Sequence, residues 1–322
     1  MIDTVKLYLD IAEVGSSDLM ATTAYLTNTY PIISTDTGEV RGQGGYLSNL
    51  RVYVFPSGVT VEGSMPRYLM GSNAHVLTRH QVEESINKMS DELHLPMAKA
   101  EVRRVDCASL FIMSHPIQEY IQRLNGLTRY SRVLHTHNSL TYLNGKYKTN
   151  QGIRHHNVIA IYNKSKELTE TGKDTPEAYD EANVLRIERR WIGGVRRAFG
   201  LPELTAATLS ESEFYGEMVR RWGRDYFAIQ KSRTTAFKFE GVTTPKDFEE
   251  WLLGVALNRW DATDLDNILM ALREREVLKY PKYYTSIKAK LKQCRERVSK
   301  DVGADLMQEL DNYVRNTLIY IR

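Results

Sequence analysis

Three carboxylates lie in or next to segments whose sequences predict β-strands. Asp106 lies in VRRVDCASLFI, Glu188 lies in VLRIERRWI, and Glu167 follows the apolar run NVIAI. Charged residues in the middle of a strand are disfavoured unless they are paired or bound to an ion. Carboxylate oxygens from neighbouring strands are ligands of hard divalent ions. The three acids therefore predict a site for Mg²⁺ or Mn²⁺, which would polarise a phosphate.

The same pattern is also compatible with a structural role for the acids. Alternation along a strand places Arg104 on the same face as Asp106, and Arg186 and Arg190 on the same face as Glu188. Arginine–carboxylate pairs on an exposed sheet face would satisfy these charges without a metal ion. The residues alone leave both alternatives open.

Tyr162 ends the apolar run and precedes Lys164 by two residues. A phenol has a pKa of about 10 and is a poor nucleophile when it is neutral. A neighbouring ammonium group or metal ion favours the phenolate, and Lys164 shares a strand face with Tyr162 if the strand extends that far. Tyr162 is therefore predicted either to attack a DNA phosphodiester, leaving a 5′-phosphotyrosine and a free 3′-hydroxyl, or simply to pack in the sheet.

Two histidines offer an alternative metal site. His135 and His137 in LHTHN are two residues apart and face the same way if this segment is a strand. Such a pair is a metal-ligand arrangement in nucleases that use tyrosine. The intervening residue is hydrophobic in that motif, whereas here it is Thr136.

A basic segment with interspersed tyrosines lies near the end of the chain. Lys279 to Lys300 contains six lysines, two arginines and one glutamate, although the net charge of the whole chain is only +3. This segment predicts either a surface that binds DNA phosphates or a solvated helix face. The residues predicted to contact DNA are Lys288, Lys290, Lys292 and Arg295.

The composition is that of a globular protein, with 42% hydrophobic and 26% charged residues. The sequence contains no run of about 18 apolar residues, so a membrane-spanning helix is not expected. The two cysteines, Cys107 and Cys294, lie far apart and not in metal-ligand spacing. The start of the chain lacks the basic and apolar stretches of a secretory signal. We therefore expect a cytoplasmic protein with reduced thiols.

The order of the predicted elements indicates an α+β fold. Residues 2–10 and the segments flanking the turn at 56–58 alternate as strands, and Thr78 and Gln81 have capping-box spacing at a helix start. Asn144-Gly145 is predicted to form a tight turn. The pattern predicts an antiparallel-dominated sheet with helices on one face, followed by a smaller helical domain.

A change of composition near residue 205 predicts a domain boundary. The segments GLPEL and TAATLSES precede a region with helical periodicity. Within that region, Thr244-Pro245 predicts a helix start, and Asp247 lies in the first turn. We therefore expect a sheet domain at residues 1–205 and a helical domain at residues 206–322.

Three segments in a fixed order resemble the phage and plasmid replication proteins of the gene II/X family. They are VRRVDCAS, NVIAIYNKSKEL and LRIERRWIGGVRRAFGLPE. The start MIDTVKLYLDI and the segment SMPRYLMGSN are similar to the same family. The likeness covers roughly residues 1–205, and its specificity comes from the order and spacing of short motifs.

The resemblance implies a rolling-circle replication initiator with a degenerate nicking-endonuclease domain at residues 1–205. Such an enzyme nicks one strand of a double-stranded origin through a tyrosine, forms a 5′-phosphotyrosine adduct and rejoins the strand after replication. The family's tyrosine and its following lysine correspond to Tyr162 and Lys164. Its acidic positions correspond to Asp106, Glu167 and Glu188, which would hold a divalent metal ion.

Some related plasmid initiators carry the nucleophile after the last catalytic strand. By that rule, Tyr215 or Tyr226 would replace Tyr162 as the attacking residue. The resemblance also implies origin DNA, its nicked single strand, and the host helicase and polymerase as partners in the cytoplasm of a bacterial host, with no membrane. The alternative function is a non-catalytic origin- or operator-binding protein on the same fold.

Overall fold

The computed structural model describes residues 1–135, 139–149, 152–172, 176–179, 181–231, 242–257, 262–299 and 306–319. The chain divides into two compact units. The first contains Met1–Ser232 and Leu310–Arg322, and the second contains Arg233–Glu309.

Ten strands of the described chain form one antiparallel sheet, and two short strands, β7 and β12, form a second one. The order in the large sheet is β2-β3-β4-β5-β1-β6-β11-β10-β9-β8. The strands are β1 (Ile2–Asp10), β2 (Thr27–Ile33), β3 (Val40–Leu47), β4 (Leu50–Phe55), β5 (Gly58–Ser64), β6 (Glu101–Met113), β7 (Leu124–Gly126), β8 (Tyr130–His135), β9 (Leu140–Thr149), β10 (Gly152–Asn163), β11 (Asn183–Ile192) and β12 (Gln230–Lys231).

The α-helices lie between the strands and in the C-terminal region. They are α1 (Ser16–Ala21), α2 (Met65–Met70), α3 (Arg79–Leu93), α4 (Ile117–Arg123), α5 (Lys164–Glu170), α6 (Val195–Phe199), α7 (Ser212–Phe227), α8 (Pro245–Leu257), α9 (Ala262–Glu274), α10 (Pro281–Ser299) and α11 (Leu306–Ile319). None of the helices in the described ranges is long and apolar enough to span a membrane. The predicted α+β class, with a large antiparallel sheet and a helical C-terminal region, is confirmed.

The predicted capping box at the start of α3 is present. The side chain of Thr78 accepts a hydrogen bond from the backbone N–H of Gln81, and the side chain of Gln81 accepts one from the backbone N–H of Thr78 at 2.9 Å. This reciprocal pair satisfies two donors that would otherwise lack partners at the helix start. The apolar positions that repeat at helical intervals are buried: Val82, Ile86, Met89 and Leu93.

The predicted turn at Asn144-Gly145 is wrong, because β9 continues through both residues. Gly145 pairs with Asn157 on β10 and with Tyr130 on β8. A Cβ atom at Gly145 would lie 3.1 Å from the carbonyl oxygen of Asn157 and 3.1 Å from the ring of Tyr130. The glycine therefore permits close approach of neighbouring groups in a strand, rather than a change of chain direction.

Helix α7 packs on one face of the sheet. The rings of Phe111 on β6 and Trp222 on α7 lie 6.3 Å apart, and Arg189 on β11 binds Asp225 on α7 with an Nε–Oδ2 distance of 2.6 Å. Because side chains alternate along a strand, the neighbours of Arg189 on β11 lie on the opposite face. The packing of α7 places it in the first compact unit, which therefore extends past the predicted boundary near residue 205.

The second unit contains α8, α9 and α10. Helix α8 begins at Pro245, as predicted, and the side chain of Asp247 accepts a hydrogen bond from the backbone N–H of Thr244 at 3.0 Å. Hydrogen bonds from Thr244 and Thr243 lower the pKa of Asp247 to about 2. The hydroxyl of Tyr284 on α10 donates to the carbonyl oxygen of Leu272 on α9 at 2.8 Å.

Candidate active site

The strand register places the predicted acids of β6 and β11 on one face of the sheet. Glu188 pairs with Ala108 on β6 and with Ala160 on β10, while Arg190 pairs with Asp106. Directly opposed side chains of antiparallel strands lie on the same face. Asp106 and Glu188 therefore share the face opposite α7, in adjacent rows.

Both acids are bound by arginines. Arg104 donates two hydrogen bonds to Asp106, with distances of 2.9 Å from Nε to Oδ1 and 2.6 Å from Nη2 to Oδ2. Arg190 donates from Nη2 to Glu188 Oε2 at 3.0 Å, and its Nε lies 4.0 Å from Asp106 Oδ2. These contacts are the arginine–carboxylate pairs that the sequence allowed as the alternative to a metal site. However, the two acids are buried on this face, since Asp106 is 0% exposed and Glu188 is 3% exposed.

Burial dominates the protonation of Asp106. It raises the pKa of this carboxyl to about 7, and the nearby charge of Glu188 acts in the same direction. The hydrogen bonds and charge of Arg104 and the charge of Arg190 oppose this rise without cancelling it. Asp106 can therefore change its charge near neutral pH.

As arranged, the three predicted ligands do not make a metal site. Asp106 and Glu188 accept hydrogen bonds from arginines, and Glu167 accepts one from a lysine. Within the residues that the structure describes, no group of three or more His, Cys, Asp or Glu side chains is placed to hold a metal ion. An ion bound between Asp106 and Glu188 would have to displace the arginines, and the binding of Mg²⁺ or Mn²⁺ stays a prediction.

Tyr162 lines a cavity of about 320 Å³ at one end of β10. Two cationic side chains, Lys166 and Arg190, line the same cavity, together with Glu167. The guanidinium of Arg190 lies 5.6 Å from the ring centre of Tyr142, another lining residue. The cavity therefore combines a phenol with two cations that can bind phosphate oxygens.

The protonated form of Tyr162 is favoured in this structure. Burial raises the pKa of its phenol well above the usual range, and the charge of Glu188 adds to the rise. Arg186, which pairs with Tyr162 across β10 and β11, acts in the opposite direction. Removing the phenolic proton therefore requires a base or additional positive charge.

The predicted placement of Lys164 beside Tyr162 on a strand face is wrong. Strand β10 ends at Asn163, whose side chain accepts a hydrogen bond from the backbone N–H of Lys166 at 3.0 Å and caps α5. Lys164 is the first residue of that helix and is fully buried. Its ammonium group donates to Glu167 and, at 3.1 Å, to the side chain of Asn73.

The two alternative tyrosines are buried in α7 with their hydroxyl groups engaged. Tyr215 is 7% exposed and donates to the carbonyl oxygen of Leu77 at 2.9 Å. Tyr226 is 1% exposed and donates to Oδ1 of Asp311 at 2.7 Å. Burial raises the pKa of both phenols above the usual range. Both side chains have structural contacts that explain their positions.

The alternative histidine pair cannot be placed in this site. His137 lies outside the described residues, and of His135 only the backbone, at the end of β8, is described. The histidine metal site therefore stays a prediction.

The basic residues predicted to bind DNA lie on α10 in the second unit. Lys288 is 3.0 Å from Asp266, Lys290 is 3.6 Å from Glu250, and Lys292 is 3.8 Å from Glu296. The side chains of these lysines remain 66%, 56% and 75% exposed. Arg295 is on the same helix. Exposed ion pairs of this kind are weak, at about 0–1 kcal/mol, so phosphates can compete for the lysines.

Sequence reasoning missed two parts of this site. One is Lys166, which the capping side chain of Asn163 could have indicated, because an Asn before a polar segment is a common helix start. The other is the pair formed by Arg186 and Asp3, with an Nη2–Oδ2 distance of 2.8 Å. Although burial alone would raise the pKa of Asp3, Arg186 holds it below its usual value. No local signal connects these two distant residues.

Comparisons with known proteins bear on the first 218 residues. Residues 1–218 match a phage family described as the N-terminal part of a replication-associated protein. No curated protein matches the chain. Among solved structures, the chain has 8% identity and a TM-score of 0.20 with the di-domain ARO/CYC StfQ from the steffimycin biosynthetic pathway, covering 71% of this chain and 95% of that one. That likeness is too low to support any inference. Because the family match spans more than half of the 322 residues, the chain belongs to this family of phage replication-associated proteins, which supports a role in initiating rolling-circle replication.

Proposed function

We propose that this protein is a site-specific DNA nickase that attacks one strand of a double-stranded origin through Tyr162 and rejoins that strand after replication. Membership of the replication-associated family supports endonuclease activity in general. The observation that carries the finer assignment is the cavity, which Tyr162 shares with Lys166 and Arg190. The competing tyrosines have buried and hydrogen-bonded hydroxyl groups.

The proposed reaction is a transesterification. The phenolic oxygen of Tyr162 forms a bond to the scissile phosphorus, and the bond from phosphorus to the 3′-oxygen breaks. The phenol loses its proton, the 3′-oxygen gains one, and the products are a 5′-phosphotyrosine and a free 3′-hydroxyl. Rejoining is the reverse reaction. Because the ester conserves the energy of the broken bond, joining needs no ATP.

The cations of the cavity are suited to binding the phosphate under attack. Lys166 lines the cavity and is partly exposed, and its ammonium group lies 3.7 Å from Glu170 at the surface. Arg190 also lines the cavity, and its side chain is 24% exposed. Charge-assisted hydrogen bonds from these cations to a phosphate would offset the charge that develops during attack.

Glu167 is the carboxylate that we assign as acceptor of the phenolic proton. It lines the cavity with Tyr162, and burial of the phenol makes such a base necessary. Lys164 acts through Glu167, because its ammonium group binds that carboxylate instead of lying beside the phenol. Lys164 is therefore a positioning residue.

Incubation of the full chain with supercoiled origin DNA and Mg²⁺ or Mn²⁺ tests the proposal. We expect a nicked product with protein joined to the 5′ end, and loss of both in Tyr162→Phe. Tyr215→Phe and Tyr226→Phe are matched controls, because each removes one hydroxyl from a buried tyrosine. Adduct formation by Tyr162→Phe, or its loss only in one of the controls, would assign the nucleophile elsewhere.

A non-catalytic origin- or operator-binding protein is the second candidate function. The observation that favours it is the pairing of Asp106 with Arg104 and of Glu188 with Arg190, which satisfies both acids without an ion. This alternative predicts sequence-specific binding of origin DNA without nicking in the presence of either ion. Detection of the covalent adduct would exclude it.

The helical region at residues 206–322 is proposed to help grip the origin through the exposed lysines of α10. Its exposed lysines support this role, because their ion pairs are weak enough for phosphates to replace. The host helicase and polymerase would act on the nicked product, and they remain proposed partners.

A further inference from the structure

Four tyrosines lie together on the half of the sheet formed by β1 to β5. Tyr30 on β2 pairs with Gly44, Gly44 pairs with Tyr53, Tyr53 pairs with Thr60, and Thr60 pairs with Tyr8. This register places three tyrosines in one row across five strands. Burial raises the pKa of the Tyr30 phenol, and the nearby side chains of Tyr53 and Tyr46 act in the same direction. We call this group the tyrosine face, formed by Tyr8, Tyr30, Tyr46 and Tyr53.

Glycines allow the rings to lie on the backbone of neighbouring strands. A Cβ atom at Gly44 would lie only 2.5 Å from the ring of Tyr30, and one at Gly58 would lie 3.0 Å from the ring of Tyr8. Phe55 covers Gly42 in the same way, at 2.7 Å. A ring that covers a glycine turns one side to the sheet and leaves the other side outward, and Tyr30 is 40% exposed. Such rings offer a flat surface for stacking.

Cationic side chains lie among the rings. Lys6 pairs with Arg104 and Leu7 pairs with Val102, so Arg103 is the extra residue of a β-bulge. The bulge places the guanidinium of Arg103 3.5 Å from the ring centre of Tyr8. Arg51, which pairs with Tyr46, is exposed. Aromatic rings interleaved with arginines and lysines are the features that bind single-stranded nucleic acid.

The tyrosine face is continuous with the candidate active site. Glu62 binds Lys6 at 3.2 Å and Arg104 at 3.6 Å, and Arg104 in turn holds Asp106. All of these residues belong to the first compact unit and to one sheet. At about 4.8 Å per strand, β4 lies roughly 14 Å from β6. Tyr162 lies in register with Arg186 and Leu110, whereas Tyr8 pairs with Glu101, so about 30 Å along the strands also separates the cavity from the tyrosine face. A single strand bound at both places would therefore run along this face of the sheet.

We propose that the tyrosine face binds the single strand of DNA adjoining the nick, with bases stacked on Tyr30, Tyr46 and Tyr53 and phosphates bound by Arg51, Arg103 and Lys6. One part of this assignment rests on the proposed function, namely that the bound strand continues to Tyr162. Duplex DNA is excluded as the occupant, because its bases are stacked on one another and cannot reach the rings. Single-stranded binding of this type tolerates many sequences, because every base has a π-face.

Fluorescence anisotropy of a labelled single-stranded oligonucleotide, titrated with the full chain, tests the proposal. The double variant Tyr30→Leu/Tyr53→Leu should bind at least tenfold more weakly, because it removes two stacking rings. The matched control Tyr30→Phe/Tyr53→Phe keeps the rings and should bind within threefold of the unchanged protein. A blunt duplex of the same length should show no difference between the variants.

Two further measurements keep the test decisive. In the unchanged protein, a strand carrying 5-iodouracil should photocrosslink to peptides containing Tyr30 or Tyr53, so the result does not depend on how the Leu variant folds. Tyr162→Phe should bind the single strand normally while forming no adduct, which separates failure of this proposal from failure of the nickase assignment. Crosslinks confined to other segments, or equal binding by a folded Leu variant, would overturn the proposal.

Discussion

Arg104 holds the fully buried carboxylate of Asp106 through two hydrogen bonds, at 2.9 Å from Nε to Oδ1 and 2.6 Å from Nη2 to Oδ2. Both oxygens of Asp106 are thereby engaged by a single guanidinium. Burial nevertheless raises the pKa of Asp106 to about 7, so that this pair is charged on both sides only above neutral pH. The protonation of Asp106 therefore affects both the stability of the sheet and the charge on the face that carries the candidate active site.

The stability of the protein should depend on the charge of Asp106. Its pKa is raised from 3.8 to about 7 on folding. A raised pKa contributes stability that is fully present below the unfolded value and is lost as the pH rises through the folded value. We therefore expect the free energy of unfolding to fall by about 2 kcal/mol between pH 5 and pH 8 relative to Asp106→Asn. Urea unfolding at several pH values measures this difference.

The control for this prediction is Glu101→Gln, which changes an exposed acid on the same strand. It should keep the pH dependence of the unchanged protein. Equal pH profiles for Asp106→Asn and the unchanged protein would show that Asp106 has a normal pKa.

Lys164 and Lys166 should have different roles. Lys164 is fully buried against Glu167 and Asn73, so Lys164→Met should lower the free energy of unfolding by roughly 2 kcal/mol. Lys166 is partly exposed in the cavity, so Lys166→Met should leave stability unchanged and slow adduct formation by roughly tenfold or more. Thermal unfolding and single-turnover nicking separate the two effects. Normal nicking by a folded Lys166→Met would remove this lysine from the phosphate site.

Binding of a divalent ion can be measured without activity. Electron paramagnetic resonance detects Mn²⁺ bound to the protein, and Asp106→Asn/Glu188→Gln should lose that binding if these acids are the ligands. Glu13→Gln changes an acid that pairs with Lys99 at the surface and is the control. A chelator should abolish nicking, and added Mg²⁺ or Mn²⁺ should restore it. Mn²⁺ binding that persists in the double variant would place the ion elsewhere.

Charge reversal on α10 should weaken binding of origin DNA. Replacement of Lys288, Lys290 and Lys292 by glutamate removes three cations, and the slope of log affinity against log salt should become shallower by about 3. A matched triple reversal at the exposed positions Arg67, Lys99 and Arg197 controls for net charge. Filter binding at several salt concentrations measures both slopes. Equal slopes in the two variants would identify α10 as a solvated helix face.

Much of the sheet could be predicted from local pattern. Strand β1, the hairpin of β4 and β5, and strand β11 follow from alternation and turn residues, because these signals depend on neighbours along the chain. The capping box of α3 is local for the same reason. The turn prediction at Asn144-Gly145 was wrong because Gly145 allows a close contact with β8 and β10. Local sequence pattern does not indicate contacts of this kind.

The sequence by itself determined the fold class, the family and the face shared by Asp106 and Arg104, since alternation and motif order depend only on residues close together in the chain. Tertiary structure alone decided that this face is buried at Asp106, that Tyr215 and Tyr226 are enclosed by packing, and that Arg190 reaches the cavity of Tyr162. The physical reason is that burial and strand register depend on which distant segments pack together. Those contacts set the charge of each acid and the access to each phenol.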